Sequence, residues 1–346
     1  MKTDAKLTLV RDAHRFDEAA LNDYLEINLA GYAGPLDVQQ FEGGQSNPTF
    51  LLRTASAEYV MRKKPPGKLL PSAHQVDREF RVMKALEQSD VPVPRMHLLC
   101  EDEAVIGTAF FVMEHVQSRV LENITLPGMA PQDRRALYLD MIRVLAALHS
   151  VDYVDLGLDS FGKPGNYFSR QIGRWSKQYV AAKTEEIESM ERLMQYLPAN
   201  VPADDTSCIV HGDYRMGNLL LHPTEPRIVA VVDWELSTLG HPLGDLGYSC
   251  MFYHSGIVGR ASLEDHSGDE TGIPSEEEFL AEYCRLTGRD GIPNWNFYLA
   301  FSFFRLASIL QGVYKRGIMG NASSEEAMQR GRMARDIADL AWKLIE

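Results

Sequence analysis

The sequence predicts an α+β protein in two unequal parts, and three observations carry that expectation. Residues 1–116 string together short apolar runs separated by turn-forming residues, with few helical stretches among them. From residue 117 onward apolar residues recur every three or four positions, the spacing of amphipathic helices. A chain of 346 residues also exceeds the size that one hydrophobic core usually serves, so two lobes around a cleft are expected, 1–116 and 117–346.

Taken in order, Asp17 to Leu29 reads as a helix, with Leu21, Leu25, Ile27 and Leu29 mostly on one side. Val38–Phe41, Thr49–Arg53 and Glu58–Lys63 read as strands. Between the first two lies Glu42-Gly-Gly-Gln-Ser-Asn-Pro48, whose residues alone favour an ordinary hairpin turn and whose position makes it a candidate ligand loop. Gly43 and Gly44 permit close backbone approach, and free N–H groups around Ser46 and Asn47 can face phosphate oxygens. His74 to Glu87 has helical spacing at Val76, Phe80, Met83 and Leu86; Met96–Cys100 and Ala109–Glu114 complete a five-stranded sheet. Beyond this, helices are expected at 131–149, 166–182, 185–197, 275–286, 294–315 and 324–345. Phe301, Phe303 and Phe304 read as packing residues of a core.

With 35 basic and 48 acidic residues the net charge is −13, which argues against general nucleic-acid binding. No apolar stretch stands out as a membrane span, and the first ten residues do not resemble a secretory leader. Four dispersed cysteines without a CxxC pair suggest free thiols in a reducing, cytoplasmic setting.

The chemistry concentrates in His211-Gly-Asp-Tyr-Arg-Met-Gly-Asn218 and the following Val231-Val-Asp-Trp-Glu235. Gly212 and Gly217 make the first segment a loop, bracketed by the apolar runs Cys208–Val210 and Leu219–Leu221; a third run, Ile228–Val232, delivers Asp233. A loop Asp, an Asn five positions on and a strand-end Asp suit in-line phosphoryl transfer. Asp213 would orient and deprotonate the attacking hydroxyl, while Asn218 and Asp233 would hold Mg2+ beside ATP. His211 reads as a packed anchor of the loop.

His-Gly-Asp-x-x-x-x-Asn followed by Asp-Trp-Glu resembles the aminoglycoside phosphotransferase and choline kinase family, small-molecule relatives of the protein kinases. Tyr59–Gly67, Ala73–Phe80 and Phe110–Val116 further resemble the subgroup that precedes acyl-CoA dehydrogenase domains in some animal proteins. The resemblance implies a bilobal protein-kinase-like fold. It implies that Arg62 takes the place of the usual strand lysine and Glu79 that of its helix partner. Strand alternation allows only one of Arg62 and Lys63 to face the nucleotide. Glu114, His115 and Val116 would form the hinge that meets adenine, and Asp245 would brace the loop.

An acceptor site is expected from Arg170, Arg174 and Trp175 together with Arg305 and Arg316. The resemblance implies an ATP-dependent O-phosphotransferase whose acceptor is a hydroxyacyl-CoA or hydroxy acid, functionally coupled to an acyl-CoA dehydrogenase. Alternatives are an aminoglycoside or other amino-alcohol kinase, and a nucleotide-binding regulator without turnover. Neither nucleic acid nor membrane is expected as a partner.

Overall fold

A computed structural model of the chain describes residues 6–42, 47–65, 75–254, 262–319, 329 and 331–346. Packing divides it into two units. The first comprises Met1–Glu122, Asp152–Phe161 and Met216–Ser237; the second comprises Asn123–Val151, Gly162–Arg215 and Thr238–Glu346. This departs from the single division at 116/117, because the segment carrying Asn218 and Asp233 is tied to the first unit. Its Val231 N–H donates to Pro92 O at 2.8 Å, and Arg119 and Leu221 exchange backbone hydrogen bonds of 2.8 and 2.9 Å.

The first unit is built on β1 (Leu7–Thr8), β2 (Asp37–Phe41), β3 (Thr49–Arg53), β4 (Glu58–Lys63), β5 (Met96–Cys100) and β6 (Phe110–Glu114). They form an antiparallel sheet in the order β1-β2-β3-β4-β6-β5. The sixth strand, β1, is two residues long and has no alternation for sequence reading to detect. Helix α1 (Glu18–Asn28), capped by Asp17 accepting from the Ala20 N–H, sets Leu21 and Leu25 against Phe50, Tyr59, Met61 and Phe110. Ile27 is 84% exposed, two positions and so about 200° of helix from Leu25.

Helix α2 (Val76–Leu86) lies on the other face of the sheet and buries Val76, Glu79, Val82, Met83 and Leu86. Glu79 therefore takes the buried place in the stripe, and Phe80 is half-buried. Alternation along β4 explains the arrangement: Tyr59, Met61 and Lys63 share the α1 face, leaving Arg62 on the face of α2.

The apolar runs bracketing the 211–218 loop do not pair with one another. In the second unit β7 (Cys208–Val210) pairs with β10 (Thr238–Gly240); in the first, β8 (Leu219–Leu221) pairs with β9 (Ile228–Val231). The rest of the second unit is helical. It contains α3 (Pro131–Ser150), α4 (Tyr167–Ala182), α5 (Glu188–Ala199), α6 (Pro242–Cys250), α7 (Glu276–Thr287), α8 (Trp295–Ile318) and α9 (Ala334–Lys343).

Helix α8 is long and apolar enough in composition to cross a bilayer, contrary to the sequence expectation, yet 72% of that stretch is buried within the protein. It packs against α4, α6 and α9, with Phe301, Phe303 and Phe304 fully inside. It is a core helix. All four cysteines are free thiols.

The approach of α6 to α8 depends on Gly247, where a Cβ would lie 2.8 Å from the Tyr298 carbonyl oxygen. Gly247→Ala should destabilise the protein by about 1–3 kcal/mol through overpacking, despite alanine's better helix propensity. Gly173 in α4 has no atom within 4 Å of such a Cβ, so Gly173→Ala should stabilise by about 0.4–1 kcal/mol. Urea denaturation of the two variants should give shifts of opposite sign; shifts of the same sign would contradict this account of the packing.

Candidate active site

In the first unit one cation meets three carboxylates. The Arg62 side chain is 11% exposed; its Nη2 donates to Asp233 Oδ1 at 2.6 Å and lies 3.9 Å from Glu235 Oε2. Its Nε lies 3.1 Å from Glu79 Oε2, an ion pair whose atoms are not aligned as a hydrogen bond. Glu79 is buried and its Oε1 accepts from Asn47 Nδ2 at 2.7 Å. Burial pushes the Glu79 carboxyl up to about 7; Arg62 pulls it down, while Asp233 and Glu235 add to the rise.

Lys63, by contrast, is 3% exposed, with its ammonium 5.5 Å from the centre of the Phe16 ring, and burial lowers its pKa. The choice between the two cations is thus made by the strand, in favour of Arg62. Asp233 follows β9 in the left-handed region, φ 69° and ψ 57°, which Asp adopts at less cost than β-branched residues. Asn218 is 4% exposed, and its carbonyl accepts from the Val232 N–H at 3.0 Å. That bond places Asn218 on the turn next to Asp233.

In the second unit the 211–213 backbone is held by buried charge. Asp245 lies in the first turn of α6, which Pro242 opens at its first position. Its Oδ2 accepts from the His211 N–H at 2.6 Å and its Oδ1 from the Gly212 N–H at 2.8 Å. His149 Nε2 approaches Oδ2 at 3.4 Å, and His149 Nδ1 lies 2.8 Å from the Tyr283 hydroxyl. Burial alone would raise the Asp245 pKa; His149, His211 and the Gly212 amide together hold it below the usual carboxylate range. The Asp213 N–H donates to His211 Nδ1 at 3.2 Å, so His211 anchors the loop through its ring. Arg215 Nε reaches Asp213 Oδ2 at 3.2 Å.

Other expected positions part company. Gly43, Gly44 and Ser46 lie outside the described residues. Asn47 is buried, and its side-chain amide donates to Glu79 within the Arg62 cluster. The Glu114 side chain is exposed and accepts from the Arg95 N–H; His115 Nδ1 pairs with Glu58 Oε2 at 2.7 Å, and Val116 O accepts from Ser118 Oγ.

Of the expected acceptor residues, Arg174 and Arg305 both meet the Trp175 ring, while Arg316 lies apart. Arg305 is 7% exposed and donates to Gly212 O at 2.6 Å. Its guanidinium carbon lies 5.6 and 5.4 Å from the ring centres of Trp175 and Tyr248. Arg316 is exposed near the end of α8, three turns on and about 16 Å along the axis. Arg170 donates to Lys163 O, and the exposed Arg174 lies over Trp175. Arg305 is thus tied to the backbone of the 211–213 loop, with Trp175 beside its guanidinium.

Sequence reading missed His149, Tyr248 and Glu235. His149 was seen only as the end of a helix, and Glu235 stood in the motif without a role. Tyr248 stands three residues beyond Asp245, one helical turn, which is the only hint the sequence offers.

The architecture is the aminoglycoside phosphotransferase-like fold. A protein of Ralstonia eutropha provisionally described as an aminoglycoside phosphotransferase is 51% identical, with 95% of this chain and 98% of that one covered at a TM-score of 0.87. The ternary complex of aminoglycoside phosphotransferase APH(4)-Ia with ADP and hygromycin B shares the fold at a TM-score of 0.62 and 16% identity, with 95% of this chain and 98% of that one covered. The phosphotransferase enzyme family model matches residues 37–295, and the chain belongs to that family.

Among curated relatives, mouse acyl-CoA dehydrogenase family member 10 is 48% identical over 96% of this chain and 31% of its own length. Human acyl-CoA dehydrogenase family member 11 is 43% identical over 99% of this chain and 44% of its own. The chain spans less than half the length of these relatives.

A carboxyl whose folded pKa is raised makes folding less favourable as it ionises. The Glu79 contribution should therefore be lost as pH rises from about 4.5 to about 7. Relative to wild type, Glu79→Gln should gain roughly 3 kcal/mol across that interval. Urea titrations at pH 4 and pH 8 measure the difference; a constant gap between the two proteins would contradict a raised Glu79.

Proposed function

We propose that the chain transfers the γ-phosphoryl group of ATP to a hydroxyl of a small anionic acceptor, a hydroxyacyl-CoA or hydroxy acid. The observation that carries the nucleotide half is the Arg62 cluster, a planar cation fixed by Glu79 beside Asp233. Its guanidinium can fork onto two phosphate oxygens. Three carboxylates against one arginine leave an excess of negative charge that a divalent cation would offset.

The donor set fits Mg2+. Asp233 and Asn218 supply hard oxygens on neighbouring turns, and among the described residues no three-ligand protein cage exists. Magnesium, when bound, neutralises charge on the phosphates, and it is suited to one or two protein oxygens completed by phosphate and water.

Asp213 is assigned the acceptor hydroxyl. It would orient the oxygen toward the γ-phosphorus and take up its proton as the new O–P bond forms; the bond to the bridging oxygen breaks and ADP departs. The fixed peptide on its N-terminal side supports this role, because proton transfer depends on the carboxylate's placement.

For the acceptor, relatives with 43–48% identity over nearly the whole chain bear acyl-CoA dehydrogenase names. Phosphorylating an acyl-chain hydroxyl turns a poor leaving group into a good one, a step that would feed acyl-CoA oxidation. A second reading, an aminoglycoside kinase, draws on the Ralstonia eutropha structure.

Asp213→Asn should lower phosphoryl transfer by roughly two to four orders of magnitude while ATP affinity stays near wild type. Rapid-quench transfer measured beside equilibrium nucleotide binding tests this; undiminished transfer would sink the assignment of the base. Radiolabelled transfer from ATP to 4-hydroxyacyl-CoA, free 4-hydroxy acid and kanamycin separates the acceptors. Turnover of the hydroxyacyl compounds is expected, and turnover of kanamycin alone would replace this acceptor with the second reading.

A further inference from the structure

Both polar groups of Gly212 are committed to buried charges of opposite sign. Its N–H donates to the Asp245 carboxylate at 2.8 Å, and its carbonyl accepts from the Arg305 guanidinium at 2.6 Å. Gly212 has φ 83°, in the left-handed region. A peptide at such a glycine is comparatively free to rotate unless it is held on both sides. On either side of it, the His211 N–H is held by Asp245 and the Asp213 N–H by His211 Nδ1. The backbone leading into Asp213 therefore has the N–H groups of residues 211–213 assigned, and one guanidinium fixes the Gly212 carbonyl.

Arg305 is itself placed with care. It comes from the buried middle of α8, and the rings of Trp175 and Tyr248 lie within 5.6 Å of its guanidinium carbon. Its Nε is buried without a hydrogen-bond partner among the described residues, a cost that a residue serving only to fill space would not carry. The Tyr248 hydroxyl is enclosed although its residue is partly exposed, and burial, with the Asp213 carboxylate beside it, keeps the phenol protonated and able to donate.

We infer that Arg305, seated between Trp175 and Tyr248, is a positioning residue for Asp213. It clamps the Gly212 carbonyl, on the peptide that leads into Asp213, next to the peptide whose N–H Asp245 holds, while Tyr248 steadies the carboxylate. This rests on the assignment of Asp213 as the base, and it moves Arg305 from substrate recognition to the geometry of proton transfer. A misplacement of about 1 Å at such a group can cost roughly a hundredfold in rate.

The test uses Arg305→Met, which keeps an apolar stem between the rings, and Arg305→Lys, which restores a single charged donor. Tyr248→Phe keeps the ring and removes the hydroxyl. Rates are followed with ATP and 4-hydroxyacyl-CoA, and hydrogen exchange is followed at residues 211–213 by mass spectrometry.

The inference expects kcat to fall roughly ten- to a hundredfold in Arg305→Met and by less in Tyr248→Phe, with KM for ATP unchanged. Part of the loss should return in Arg305→Lys. Exchange at 211–213 should accelerate in Arg305→Met while protection elsewhere in α8 is kept. Unchanged kcat, or a rise in KM for the acceptor alone, would overturn it and return Arg305 to substrate binding. If wild-type protein phosphorylates none of the acceptors tried, the proposed reaction fails separately. Hydrogen exchange then decides the clamp: faster exchange in Arg305→Met upholds it, and unaltered exchange overturns it.

Discussion

Asp245 is fully enclosed, and both of its oxygens are given to the backbone of the loop that carries Asp213. A buried carboxylate tolerates that position only when hydrogen bonds replace the lost hydration. Two consecutive amides and His149 do so here, and in return the carboxylate dictates where those amides point. The consequences spread through the second unit. Pro242 starts α6 so that Asp245 falls in its first turn, Gly247 lets α6 approach α8, and α8 brings Arg305 to the carbonyl of the same glycine. The loop owes its shape to these commitments more than to its own residues.

The first unit solves a different electrostatic problem. Arg62 is too buried to be fully hydrated and is surrounded by more negative charge than it can neutralise. Such a cluster is organised for additional positive charge and for anionic oxygens that accept from arginine. Asn47 ties the cluster to the end of the preceding polar segment through Glu79. An arginine in this position is compatible with phosphate binding, since its fork can meet two oxygens where an ammonium meets one at a time.

The acceptor is the part of the function on which fold says least. Arginine content suggested an anionic acceptor, but Arg305 is committed to a backbone carbonyl, and Arg316 lies far along the same helix. What supports the hydroxyacyl reading now is kinship with acyl-CoA dehydrogenase family proteins over the whole chain. The arginines no longer carry it.

The sequence by itself determined the elements and the motif. Strands β3 to β5 were legible as short apolar runs between turn-forming residues, and the stripe of α3 followed from the helical period of about 3.6. Asp213, Asn218 and Asp233 were legible because glycines and short apolar runs fix a loop locally. Alternation along β4 required that one of Arg62 and Lys63 turn away; only the packing of Lys63 beside Phe16 decided which. The tertiary structure alone showed that β7 and β8 enter separate ladders, that α8 is a core helix and that His149, Tyr248 and Arg305 converge on one loop. The convergence on that loop depends on contacts between residues 57 to 130 positions apart, and local spacing carries no record of them.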